Sequence, residues 1–246
     1  DVEQVKDIIV TGPNGDIPLR YYRPKNSDNE AKLPLLLYYH GGGWVVGDIE
    51  THDVICRTLA NRGGFAVANV DYRLAPENKF PAAIEDSWAT VEWAKSGAGG
   101  LKIDANRVAL GGDSAGGNIS AVLALMARDS GIELSFQALI YPATYFSLET
   151  ESHRKFGEGY LLNRDTQIWY HEMYLRSDSD RDNWWASPAL AENFAGVAPA
   201  FVLTCGYDPL VDEGKAYADK LEAAGVPVEY HCYEGQVHGF ITMGKA

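Results

Sequence analysis

The chain has 246 residues, a formal net charge of −13 at pH 7 and a hydrophobic content of 46%. This length suits one large domain that buries most of its apolar surface, so we predict a single domain over residues 1–246. The negative charge argues against nucleic acid and anionic membrane surfaces as partners, and no apolar run approaches the roughly 18 residues of a membrane span. The three cysteines lack the spacing of a zinc site or a disulfide framework. The acidic composition is typical of a well-solvated cytosolic surface, so we expect a cytoplasmic protein.

Strand-like and helix-like segments alternate along the chain. Two strands near residues 5–10 and 17–22 flank a turn rich in glycine, proline and asparagine, which predicts a hairpin. Six further strands are predicted near residues 35–39, 65–70, 108–110, 136–140, 200–204 and 228–233. The alternation predicts an α/β fold, with a mostly parallel sheet of roughly eight strands and helices on both faces.

Helices are predicted in the intervals between these strands. Asp48 is expected to cap the first helix, which ends near residues 63–64, and Pro81 to open the second. Another helix is predicted from residue 210, and Gly225 and Pro227 stop it.

A glycine-rich loop follows the strand at residues 35–39. It reads His40-Gly41-Gly42-Gly43-Trp44. This pattern matches the HGGG-type loop that supplies an oxyanion-hole N–H group in lipases and esterases. A dinucleotide-binding loop would need glycine at the position of Val46, and no P-loop lysine follows, so nucleotide binding is not indicated.

A second glycine motif follows the strand at residues 108–110. It reads Gly112-Asp113-Ser114-Ala115-Gly116. It fits the G-x-S-x-G elbow, in which a serine on a strained turn between strand and helix acts as nucleophile. A glycine-rich turn without catalytic role is the alternative. In the elbow geometry the backbone N–H of Ala115 contributes to the oxyanion hole.

Residues 141–185 are too long for a simple connection between a strand and a helix. They are rich in aromatic residues, and Asn163 is placed to cap a helix within them. The predicted apolar face of that helix consists of Trp169, Tyr170, Met173 and Tyr174. We predict a helical insertion that either packs on the core or forms a lid over Ser114 and supplies an apolar acyl pocket.

An acid and a histidine then follow the serine in the chain order of the α/β-hydrolases. Asp208 comes directly after the strand at residues 200–204, where it is also suited to cap a helix. Asp212 and Glu213 are rival acids, but they fall within the next helix. His238 lies in a glycine-flanked loop after the last strand. The sequence therefore predicts a Ser114, His238 and Asp208 triad.

The motifs together resemble the hormone-sensitive-lipase-like branch of the α/β-hydrolases, which includes many bacterial carboxylesterases. Three further segments carry the resemblance, namely residues 71–77 (DYRLAPE), 208–214 (DPLVDEG) and 238–240 (HGF). The resemblance implies an α/β-hydrolase fold with a helical cap at residues 141–185. It also implies that the N–H groups of Gly42 and Gly43 complete the oxyanion hole. The implied activity is hydrolysis of short- to medium-chain esters of small molecules, with no metal or organic cofactor.

Other activities on the same fold stay open at this stage. An amidase, a thioesterase or a true lipase would use the same triad, and a non-catalytic ligand receptor would be expected to lose one of its members. Members of the resembled family usually carry a helical segment before the first strand and a helix after the histidine loop. This chain has little of either, so we expect that it is part of a longer polypeptide or that two copies associate through the last strand.

Overall fold

The strands of the protein form one sheet. The computed structural model describes residues 1–28 and 30–244, within which this sheet has eight strands. They are β1 (Gln4–Gly12), β2 (Gly15–Arg23), β3 (Leu33–Tyr39), β4 (Ala66–Val70), β5 (Ile103–Asp113), β6 (Phe136–Ile140), β7 (Ala200–Tyr207) and β8 (Val228–Val237). Their spatial order is β1-β2-β4-β3-β5-β6-β7-β8, and only β1–β2 and β2–β4 pair antiparallel. The predicted α/β fold with a mostly parallel sheet is confirmed.

Helices cover both faces of the sheet. The α-helices are α1 (Asp53–Gly63), α2 (Ala82–Lys95), α3 (Ala115–Asp129), α4 (Glu151–Phe156), α5 (Arg164–Tyr174) and α6 (Val211–Ala223). Short 3-10 helices lie at Ala98–Gly100, Asp178–Asp182, Pro188–Leu190 and Phe240–Thr242. The larger apolar core joins α2, α3 and α6 to one face, and a smaller one joins α1 to the other. In the part of the chain that the structure describes, no helix is both long and apolar enough to cross a membrane.

Several element boundaries differ from the prediction: β5 is longer than predicted at both ends, and the start of α1 and the end of β8 have identifiable causes. Asp48 does not cap α1, because its carboxylate accepts a hydrogen bond from the Thr51 N–H (2.8 Å) in a local turn and His52 occupies the N-cap position. In this turn the Asp48 carboxylate is already bound to the Thr51 N–H, so it does not accept a hydrogen bond from the first N–H groups of α1. β8 extends to Val237 rather than residue 233, because it resumes pairing with Tyr207 of β7 after an irregularity. His238 therefore follows the strand directly.

β8 forms one edge of the sheet and pairs only with β7 in the described structure. Much of its outer surface is exposed, including Cys232 and Tyr233. The expectation of association rests partly on how little chain follows the histidine loop, and the last two residues, 245–246, lie outside the described residues. Association of two copies through this strand stays a prediction.

Candidate active site

Ser114 occupies a strained turn between the end of β5 and the start of α3. Its φ of 55° and ψ of −115° lie in a region that non-glycine residues rarely adopt. The turn fits against β3 only because Gly112 and Gly116 have no side chains. A Cβ at either position would collide with the carbonyl oxygen of Tyr39. The strand, turn and helix of the nucleophile elbow are therefore all present.

The imidazole of His238 lies between Ser114 and Asp208. Its Nε2 is 2.9 Å from Ser114 Oγ, and its Nδ1 is 2.7 Å from Asp208 Oδ2. Asp208 is fully buried, and its Oδ1 accepts a hydrogen bond from the Leu210 N–H (2.9 Å). The ring of Tyr141 contacts the imidazole, with the ring centroids 4.6 Å apart. The fold thus brings the three predicted side chains from three separate turns into one hydrogen-bonded row.

The two rival acids serve other contacts. Asp212 Oδ2 accepts a hydrogen bond from the backbone N–H of Ser152 (2.8 Å). Glu213 Oε1 accepts one from the N–H of Thr144 (2.7 Å), and burial raises the pKa of this carboxyl well above its usual value. Both acids therefore hold backbone of the 141–185 segment.

The predicted oxyanion loop requires its glycines. Gly42 has a φ of 119° and Gly43 a φ of 60°. A Cβ would strike the carbonyl oxygen of Val46 at the first position and the ring of Tyr170 at the second. Within residues 1–28 and 30–244, no hydrogen-bond acceptor is found for the N–H groups of Gly42, Gly43 or Ala115. All three remain available to a ligand oxygen.

Sequence reasoning missed a polar group that lies against this loop. The carboxylate of Asp113 accepts hydrogen bonds from the Tyr38 hydroxyl (2.7 Å) and the Gly41 N–H (3.1 Å), and His52 Nε2 lies 3.2 Å away. Burial alone would raise the pKa of Asp113, but the contacts with His52 and Tyr38 outweigh it and hold the pKa below its usual value. An acid at the end of a buried strand was the available signal, since such a group needs several donors.

Ser114 and His238 line a cavity of about 560 Å³. Its apolar wall consists of Trp44, Val46, Tyr141, Ala143, Leu161, Leu162, Tyr170 and Leu210. Thr166, Gln167 and His171 add polar groups from α5. The cavity is bounded on one side by the glycine loop and on the other by the 141–185 segment.

The buried face of α5 agrees with the predicted one at Tyr174 and differs from it elsewhere. Asn163 caps the helix as expected, through its side chain and the Thr166 N–H (2.8 Å). The buried residues, however, are Gln167, His171 and Tyr174, whereas Trp169 is 45% exposed. An apolar pattern misses this face because two of its three members are polar.

Both polar residues on that face are satisfied by partners from outside the helix. Gln167 Oε1 lies 3.0 Å from His153 Nε2. His171 Nδ1 accepts a hydrogen bond from the Arg181 guanidinium (3.2 Å). Burial lowers the pKa of His171 to about 3, so this side chain is neutral near pH 7.

A family model described as alpha/beta hydrolase fold matches residues 36–242. The chain belongs to this alpha/beta hydrolase family. The carboxylic ester hydrolase LipN of Mycobacterium tuberculosis is 45% identical over 249 residues, which cover 97% of this chain and 65% of LipN. An arylesterase of Saccharolobus solfataricus is 39% identical, over 98% of this chain and 78% of that protein.

Solved structures agree with this assignment. The hyperthermophilic esterase from the archaeon Pyrobaculum calidifontis has a TM-score of 0.94 and 42% identity, covering 98% of this chain and 79% of that one. The resemblance to the hormone-sensitive-lipase-like branch of the alpha/beta hydrolases is confirmed.

Proposed function

We propose that this protein hydrolyses carboxylic esters of small molecules through an acyl-enzyme on Ser114. The observation that carries the proposal is the Ser114–His238–Asp208 row at the wall of an apolar cavity. The names of the relatives, a carboxylic ester hydrolase and two esterases, support the same reaction class.

Acylation follows from the hydrogen bonds of the row. With the Nδ1–H of His238 directed at Asp208, Nε2 is free to accept the proton of Ser114 Oγ. The Oγ then forms a bond to the ester carbonyl carbon, and the carbonyl oxygen becomes an oxyanion held by the N–H groups of Gly42, Gly43 and Ala115. When the intermediate collapses, the bond to the alkoxy oxygen breaks and His238 gives its proton to the leaving alcohol.

Deacylation repeats these steps with water. His238 takes a proton from the water molecule as its oxygen attacks the acyl carbon. Collapse of the second intermediate breaks the bond to Ser114 Oγ, which regains its proton and releases the carboxylic acid. Asp208 keeps the imidazole tautomer and stabilises the imidazolium in both halves of the reaction.

The 141–185 segment is the proposed lid and acyl pocket. Leu161, Leu162 and Tyr170 supply much of the apolar wall near Ser114. The resemblance to the hormone-sensitive-lipase-like branch implies acyl chains of roughly four to eight carbons, and a walled apolar cavity supports this preference over long-chain lipids.

A substrate panel tests the proposal and its alternatives. We expect p-nitrophenyl butyrate and octanoate to be hydrolysed faster than the palmitate, and an anilide, a thioester and an emulsified triglyceride to be poor substrates. Preference for the anilide or the thioester would favour an amidase or a thioesterase. Strong activation at an oil–water interface would favour a true lipase.

The role of Ser114 is tested by the Ser114→Ala variant. We expect ester turnover to fall by about six orders of magnitude, with the unfolding midpoint nearly unchanged. Stoichiometric labelling by an organophosphate should disappear in the same variant. Full labelling of the variant would show that another residue is the nucleophile, and an inert wild-type protein would favour a ligand-binding role.

Two further properties belong to the same proposal. A cytoplasmic location follows from the acidic composition and is tested by fractionation of the source cells. Association through β8 is supported by its position at the sheet edge. Light scattering should then show a dimer, whereas a monomer at all concentrations would contradict it.

A further inference from the structure

We infer that Asp113 is a positioning residue that fixes the glycine loop of residues 40–47 relative to Ser114. The inference rests on the proposed ester hydrolysis, since it concerns the placement of the oxyanion-hole donors. Asp113 is the residue before the serine, at the end of β5. Its carboxylate accepts the Gly41 N–H at 3.1 Å, one residue before the proposed donor Gly42. The loop and the nucleophile are thereby connected through a single side chain.

The fit between this carboxylate and the loop is close. A Cβ at Gly41 would collide with Asp113 Oδ2. Unlike Gly42 and Gly43, Gly41 does not have a positive φ, so backbone conformation does not explain why this position lacks a side chain. The space that the carboxylate occupies does explain it.

Two donors and a histidine ring surround the carboxylate itself. Asp113 is 4% exposed, and a buried carboxylate is costly unless hydrogen bonds replace its water. The Tyr38 hydroxyl from β3 and the Gly41 N–H donate to it, and His52 Nε2 from the start of α1 lies 3.2 Å from Asp113 and 3.4 Å from the Gly41 nitrogen. The ring of His52 is held in turn by Thr51, whose Oγ1 lies 2.9 Å from Nδ1. Contacts from a strand, a loop and a helix thus converge on one side chain.

This arrangement also decides which N–H groups remain free. Because the Gly41 N–H donates to Asp113 at 3.1 Å and lies 3.4 Å from His52 Nε2, the loop donors next to it that lack an acceptor among the described residues are those of Gly42 and Gly43. A displacement of the loop would misplace both donors at once, although the triad would remain intact. The loss should therefore appear in transition-state stabilisation rather than in substrate binding.

The test compares Asp113→Ala and Asp113→Asn with the wild-type protein on p-nitrophenyl butyrate. For Asp113→Ala we expect kcat to fall about 10²-fold, the cost of losing an oxyanion donor, with KM within about threefold. Asp113→Asn keeps a neutral acceptor of about half the hydrogen-bond strength, so we expect a fall of about tenfold in kcat. Affinity for an alkyl trifluoromethyl ketone, whose serine adduct carries an oxyanion, should fall by the same factors.

Gln137→Ala is the control for a general loss of stability. Gln137 is fully buried near the N-terminal end of β6 and donates to the Ala198 carbonyl, whereas Ser114 lies at the C-terminal ends of the strands. Urea unfolding of all variants shows how much of each is folded. If Asp113→Ala is largely unfolded, Asp113→Asn decides.

Two outcomes would overturn the inference. The first is an Asp113→Asn protein with kcat and ketone affinity within twofold of wild type. The second is a fall in kcat and ketone affinity in either Asp113 variant that is matched by the fall in Gln137→Ala, when the two variants have the same free energy of unfolding. An active wild type with either result leaves the proposed function standing, whereas a wild type that neither hydrolyses esters nor binds the ketone would overturn both.

Discussion

The glycine loop of residues 40–47 and the helical segment of residues 141–185 face the same cavity but present different groups to it. Both are held in part through their backbone: the Gly41 N–H donates to Asp113, and the N–H groups of Thr144 and Ser152 donate to Glu213 and Asp212. The loop, however, presents backbone N–H groups to the cavity, whereas the segment presents side chains.

This difference separates two tasks within one cavity. Groups that stabilise a developing charge must be preorganised to fractions of an ångström, which backbone donors in a fixed loop achieve. Groups that select among acyl chains need only shape and apolarity, so their side chains tolerate exchange. Substitutions in the loop should therefore change the rate, and substitutions in the segment should change the preference.

After Ser114→Ala, the largest expected effect separates the acid of the triad from Asp212, an acid of α6 that contacts the segment. Asp208→Asn should lower kcat by about 10⁴, because an amide cannot hold the productive imidazole tautomer. Asp212→Asn only weakens a contact with the Ser152 N–H and should cost far less. Steady-state kinetics on p-nitrophenyl butyrate decide between them, and effects in the reverse order would assign the acid to Asp212.

The next effect concerns the loop. Gly43→Ala places a Cβ against the Tyr170 ring at a φ of 60°, so we expect kcat to fall about 10²-fold as the donors move. Gly235→Ala is the matched control, because nothing lies within 4 Å of a Cβ built there. Equal kinetics for the two variants would show that the loop tolerates displacement.

A smaller effect is expected in the segment. Tyr170→Ala enlarges the cavity, so the ratio of octanoate to butyrate hydrolysis should rise roughly tenfold. The variant should still hydrolyse its preferred ester at about the rate at which the wild-type protein hydrolyses its own. Trp169→Ala alters the neighbouring aromatic residue, which is 45% exposed, and should leave the ratio unchanged. A uniform loss of rate in Tyr170→Ala would instead mean that the segment takes part in the chemistry.

The smallest effect is on stability and involves one buried histidine from each region. Burial lowers the pKa of His40 to about 4 and that of His171 to about 3. Both values lie below the roughly 6.5 of an unfolded histidine, so the unfolded chain binds more protons and stability is lost as pH falls below about 6.5.

Each histidine lowers the free energy of unfolding by at most about 1.4 kcal/mol for each unit by which the pH falls. Urea unfolding of His171→Gln at pH 7, 6 and 5 should show a shallower decline than wild type. His231→Gln, which alters an exposed histidine on β8, is the control. A decline as steep as that of wild type in His171→Gln would mean that this histidine is not buried neutral.

The sequence predicted the local features of the site well and, apart from the Ser114, His238 and Asp208 grouping, its long-range contacts poorly. The glycine motifs, the positions of the eight strands and the Asn163 cap follow from patterns within a few residues, and the described structure contains all of them. The roles of Ser114, Asp208 and His238 remain predictions, and Ser114→Ala and Asp208→Asn test the first two.

One missed feature depends on residues far apart in the chain. Asp113 finds Tyr38 and Gly41 more than 70 residues away, and a pattern search within one segment cannot register such partners. The buried face of α5 was missed for another reason: Gln167 and His171 are polar, so an apolar pattern omits them, and His153 and Arg181 satisfy them from outside the helix.

The contacts between α4 and the acid-bearing turn have a consequence for exchanging parts between homologues. The Ser152 hydroxyl donates to the Pro209 carbonyl at 2.6 Å, and its N–H donates to Asp212. Pro209 follows Asp208 directly, so a graft of residues 141–185 alone would place foreign backbone against the turn that carries the acid. A chimera intended to acquire another acyl preference therefore has to take residues 208–213 from the same donor, and the segment and the turn form one transferable unit.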